Sequence, residues 1–102
     1  MKSDAKLAYC SITELAPKVR SGEISPVTIV ENSIARINEL DSTLNTFIEV
    51  YRDDALTAAQ VLENSAARGD YLGPLHGIPV ALKDLIDIDG KVTTGGSTIL
   101  RK

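Results

Sequence analysis

The chain has 102 residues, room for one small domain and not two, and its 43% hydrophobic and 25% charged residues make a soluble, globular balance that argues against disorder. A formal net charge of −3 without any basic stripe speaks against nucleic acid, and the aromatics Tyr9, Phe47, Tyr51 and Tyr71 are too scattered to stack bases. No apolar run reaches membrane-spanning length, Met1-Lys2-Ser3-Asp4 leads into no signal-peptide core, and the single Cys10 rules out an intramolecular disulfide and fits a reducing cytoplasm.

Residues 1–10 read as a lead-in and residues 11–102 as one domain. Ser11-Ile12-Thr13-Glu14 has the form of a capping box, with Ser11 as N-cap and Glu14 at N3. Ile12, Leu15, Ala16 and Val19 share a helical face, and Gly22 suits the residue just past the end, so a helix is expected over about 12–20. Ser25-Pro26 opens a second helix, with proline where its missing N–H does no harm. Val27, Val30, Ile34 and Ile37 form its stripe, and Asp41-Ser42 ends it.

Asn45 to Val50 is expected as a short strand, from the strand preference of Phe47, Ile48 and Val50. Asp53 and Asp54 suit the positive end of a third helix, whose face of Ala55, Ala59, Leu62 and Ala66 permits close approach to a neighbour. Arg68 and Gly69 close it.

The stretch Gly73-Pro74-Leu75-His76-Gly77-Ile78-Pro79-Val80-Ala81-Leu82-Lys83-Asp84 is the centre of the chain. Its glycines and prolines mark turns, and the apolar run Ile78–Leu82 fits a strand buried on both faces of a helix-covered sheet. Lys83 follows at once, at the carboxyl end of that strand, where ligands of open α/β sheets gather. From spacing alone two readings of Lys83 stand. It extends its ammonium into water or pairs with Asp84; or it is a desolvated, chemically active lysine.

Ile86-Asp87-Ile88-Asp89 alternates as a half-exposed strand does. Its two carboxylates are read as a solvated face rather than a cation site, since no further ligand cluster follows. Thr93-Thr94-Gly95-Gly96-Ser97 is a loop or backbone nest. It fails as a phosphate loop because Gly96 stands where that motif needs lysine.

The stretch from Gly73 to Asp84, followed by Thr93-Thr94-Gly95-Gly96-Ser97, resembles the N-terminal part of the amidase signature family. Glu14-Leu15, Gly22-Glu23-Ile24-Ser25, Arg36-Ile37 and Leu44-Asn45-Thr46-Phe47 agree with it in order, so the likeness runs from about Ile12 onward. The resemblance implies that Lys83 is the lysine of a Ser–cis-Ser–Lys triad, and it favours the active reading of that residue. It gives His76 no such role, despite its being the only histidine. It also implies that both triad serines and the glycine-rich oxyanion hole lie beyond residue 102, and that Ser97 is not the nucleophile.

The fold expected is therefore α/β: N-terminal helices plus the first strands of a mixed sheet flanked by helices, an amidase signature fold incomplete in this chain. The function expected is amidase-type hydrolysis of carboxamide C–N bonds through an acyl-serine, with Lys83 as base and the chain alone inactive. The partner expected is a small-molecule amide, with no direct nucleic-acid or membrane binding, no cofactor and no metal. A homodimer or amidotransferase partner subunits are the assemblies implied. Two alternatives remain at this level: the A subunit of a glutamyl/aspartyl-tRNA amidotransferase, and, from another class, a non-catalytic helical interaction module.

Overall fold

A computed structural model describes residues 2–101. Among these described residues four helices occur in order: α1 (Ala5–Ala8), α2 (Ile12–Ser21), α3 (Pro26–Leu44) and α4 (Arg52–Ala67), with a 3₁₀ turn at Ile99–Arg101. Their ends follow from local chemistry. The Ser11 hydroxyl accepts from the Glu14 N–H at 3.1 Å, which is half of a capping box, and Gly22 ends α2 in the left-handed region at φ 82°. Ser25 caps α3 and Pro26 fills its first turn. Helix α4 has no side-chain N-cap, but Asp53 and Asp54 supply negative charge to its first turn.

The core is built in two clusters. Leu15 and Val19 of α2 meet Ile29 of α3, with Leu7, Cys10, Ile24, Tyr71 and Ile78 around them. Val30 and Ile34 of α3 meet Ala59 of α4, joined by Val27, Ala55 and Leu56. The alanine side of α4 thus does what its small residues allow: it lets two helices lie close. The first residues are tied along α3. Asp4 N–H donates to Asn32 Oδ1 at 2.6 Å, Asn32 Nδ2 donates back to the Asp4 carbonyl at 3.1 Å, and Ser3 donates through both N–H and Oγ to the Glu39 carboxylate. That exchange satisfies the buried Asn32 amide, a side chain that would otherwise be costly to enclose.

The expected α/β architecture is overturned: the structure is helical, with no strand among the described residues. Local features account for each of the three segments expected as strands. At 45–50, Asn45 takes the left-handed conformation (φ 52°) as the C-cap of α3, and Asp41 Oδ1 then accepts from the N–H of both Thr46 and Phe47, at 2.7 and 3.2 Å. Two amides that a ladder would need are spent on a helix cap. At 78–82, Pro79 has no N–H to give, and no segment among the described residues pairs with the run. At 86–89, turns close at both ends, with Ile86 N–H on the Lys83 carbonyl at 3.0 Å and Lys91 N–H on the Ile88 carbonyl at 3.0 Å. Strand propensity reports fit to a pleated, half-buried surface, and these segments find no such surface here.

The radius of gyration is 15.0 Å, above the roughly 13 Å of a compact domain this long. Residues 79–101 are largely exposed chain.

Candidate active site

The segment 71–78 fastens the last third of the chain to the helices. His76 is 4% exposed, and both its ring nitrogens are occupied. Nδ1 accepts from the Leu72 N–H at 3.1 Å, so Nε2 carries the proton and donates to the Leu62 carbonyl of α4 at 2.8 Å. Tyr71 lies beside it with ring centroids 5.2 Å apart and donates its hydroxyl to the Ala16 carbonyl of α2 at 3.3 Å. Gly77 rests on Pro26 at the start of α3. One short segment therefore reaches α2, α3 and α4 together. His76 is an anchor, with no free nitrogen to serve as acid or base; nothing in its spacing marks it as one.

Beyond this anchor, residues 81–96 curl around an open cleft of about 980 Å³, which Thr46–Glu49 and Tyr51 complete on the side of α4. Lys83 and Asp84 line it with Leu82, Ile86, Ile88 and Thr94. Lys83 is exposed, and it makes no side-chain hydrogen bond or ion pair among the described residues, where the pairs formed are Arg68–Asp70 and Lys91–Asp54. Of the readings left open for Lys83, pairing with Asp84 does not occur, and the described residues do not enclose the amine.

Asp84 is engaged elsewhere. Its Oδ1 accepts from the Thr94 N–H at 3.1 Å, its Oδ2 takes a very short bond from the Thr94 hydroxyl, and its carbonyl accepts from the Gly95 N–H at 2.9 Å. The same Thr94 hydroxyl accepts from the Gly96 N–H at 3.2 Å, and Thr94 itself is buried. The loop thus holds the protein's own carboxylate through Thr94, with the Gly95 amide on the Asp84 backbone carbonyl and the Gly96 amide on the Thr94 hydroxyl. Gly95 and Gly96 both take positive φ, 55° and 80°, a backbone that glycine adopts without strain. The loop returns to α4 through Lys91, which pairs with Asp54 and lies 4.4 Å from the centre of the Tyr51 ring. The bond to Asp54 holds the Lys91 amine above the ordinary lysine range. Asp87 and Asp89 are both exposed, and no three metal-ligating side chains converge among the described residues.

The Asp84 carboxyl is held below its ordinary value, first by the Thr94 hydroxyl and then by the Thr94 N–H. A carboxyl depressed on folding contributes stability above its unfolded value and loses it as pH falls through the folded one. The clasp should therefore stay closed at neutral pH and open only below the ordinary aspartate value of 3.8. The Thr94 amide resonance, followed through acid, should move together with the Asp84 carboxyl carbon, and Asp84→Asn should abolish the joint transition. A Thr94 amide that does not respond to acid would contradict the clasp.

The family model that matches this chain is Amidase, over residues 28–102. The chain belongs to the amidase family. Similar family members include the A subunit of the glutamyl-tRNA(Gln) amidotransferase of Streptomyces avermitilis, 44% identical over 96% of this chain and 20% of that protein. The acylamidase of Rhodococcus erythropolis is 35% identical over 92% of this chain and 20% of its own length. A solved structure, described as "An unexpected vestigial protein complex reveals the evolutionary origins of an s-triazine catabolic enzyme", superposes with a TM-score of 0.85 at 34% identity, covering 90% of this chain and 20% of that one. The chain spans about a fifth of the length of the curated relatives it matches. Amidase-family likeness includes the whole stretch from Gly73 to Asp84, so Lys83 and its clasp fall inside the matched region.

Proposed function

We propose that residues 11–102 form the N-terminal part of an amidase in which Lys83 is the general base. The observation that carries this reading is an unpaired lysine lining the cleft, inside the family-matched region. A serine hydroxyl is a weak nucleophile until its proton is removed, and a neutral lysine amine can accept that proton. In the complete enzyme the serine oxygen attacks the carboxamide carbon as its proton passes toward the lysine. The C–N bond then breaks, the amine or ammonia departs with a proton, and water hydrolyses the acyl-serine. On this reading the triad serines lie outside these 102 residues. The substrate class is small linear amides.

The complete enzyme should release ammonia or amine from simple carboxamides, and added hydroxylamine should divert the acyl group to a hydroxamate. Residues 1–102 alone should do neither. Amide turnover by the chain alone that depends on Lys83 would refute the division of labour proposed.

A second reading, the A subunit of an amidotransferase, is favoured by the higher identity to the Streptomyces protein (44%) than to the Rhodococcus acylamidase (35%). Purification under native conditions separates the two. An amidotransferase component would come with partner chains and use glutamine as its amide, whereas a free-standing amidase would act without partners.

A further inference from the structure

The residue beside Lys83 is a carboxylate, and a carboxylate within about 4–6 Å of an amine favours the amine's charged form. A charged lysine cannot take a proton from serine. Asp84 is next to the amine in sequence, yet both its carboxylate oxygens are bound to Thr94, and it forms no ion pair with Lys83. Its backbone is held as well, since its carbonyl accepts from Gly95 and the preceding Lys83 carbonyl accepts from Ile86. The other charged or titratable groups around the cleft are Glu49 and Tyr51 ahead of α4, and Lys91 and Arg101 after it. Lys91 is bound to Asp54 and attracted to Glu49, so those carboxylates have a cation of their own.

We propose that Asp84 and Thr94 are positioning residues for Lys83: their clasp fixes the Lys83–Asp84 peptide and keeps the neighbouring carboxylate off the amine. The proposal rests on Lys83 being the base. Thr94 is the master of the arrangement, because its hydroxyl donates to Asp84 and accepts from Gly96 at the same time. Without that hydroxyl, Asp84 keeps only the Thr94 N–H on Oδ1, and its Oδ2 is released to turn toward Lys83 and stabilise the protonated amine.

The test is the pH profile of kcat/KM in the complete enzyme. Thr94→Val should move the acid limb to higher pH by about one unit, the scale of a nearby opposite charge. Thr94→Ser, which keeps the hydroxyl, should restore the wild-type limb. Adding Asp84→Asn to Thr94→Val should bring the limb back, because no carboxylate is left to hold the proton on Lys83. A merely structural Thr94 would lower activity at every pH and leave the limb in place. Should Thr94→Val fail to give soluble protein, Thr94→Ala removes the same hydroxyl without the bulk and is read in the same way. An unmoved limb in the Thr94 variants, with Lys83→Ala still abolishing that limb, overturns this proposal and spares the base. A limb that survives Lys83→Ala overturns the base itself.

Discussion

Lys83→Ala in the complete enzyme is expected to lower kcat by on the order of 10² or more, the usual scale for a positioned base, with a smaller change in KM. The reason is specific to proton transfer: the substitution removes an acceptor used in the transition state and leaves the walls of the cleft in place. Lys83→Arg should not rescue the reaction, because a guanidinium stays protonated and cannot accept. The pH profile gives a second reading. If neutral lysine is needed, acylation falls toward acid, and that limb should vanish in Lys83→Ala. Lys91 would be a poor control, since it pairs with Asp54 and closes the loop on α4. Lys6, on α1, is a better one. Near-normal turnover by Lys83→Arg with an unchanged pH profile would reduce Lys83 to a structural residue.

Gly77→Ala is expected to destabilise the fold by about 2–4 kcal/mol, combining left-handed strain with overpacking. Gly77 has φ 80°, and a Cβ placed there would lie 2.6 Å from Pro26 Cγ and 2.8 Å from Pro26 Cβ. The proline ring is part of the first turn of α3 and is itself fully buried, so it has nowhere to go. Gly22→Ala is the matched comparison. It has nearly the same φ of 82° but open space around it, so it should show the backbone strain alone, about 1–2 kcal/mol. The difference between the two variants in urea denaturation measures the contact with Pro26. Equal losses would mean that the segment around His76 is not seated on α3 as described.

The helices are legible in the sequence because their signals are local. Ser11, Ser25-Pro26, Gly22 and the Asp53-Asp54 pair each act within a turn of the boundary they set, and those boundaries appear in the structure. The strands mislead for the complementary reason. A strand is completed by a partner, and propensity at Phe47, Ile48 and Val50 says nothing about whether the amides of Thr46 and Phe47 will be taken by Asp41 first. At the candidate site, Lys83 can be named because a motif carries it. The work of Asp84 and Thr94 cannot, since their bonds join residues separated along the chain and depend on the turn geometry of Gly95 and Gly96. The part His76 plays in joining Leu62 to Leu72 is a tertiary fact with no periodicity behind it.

Gly77 on Pro26 and Lys91 on Asp54 together make the intervening chain a closed loop rather than a tail. Closure entropy grows only slowly with length, by about 0.6 kcal/mol for each doubling. Extra residues between Pro79 and Leu82 would therefore scarcely register in a melting curve. Yet each would lengthen the arm that carries the amine by up to about 3.5 Å, a distance comparable to a whole hydrogen bond. On the role proposed for Lys83, thermal stability and chemical competence are decoupled in this segment: a variant would fold as well as its parent and still hold the amine out of reach of the proton it is proposed to take.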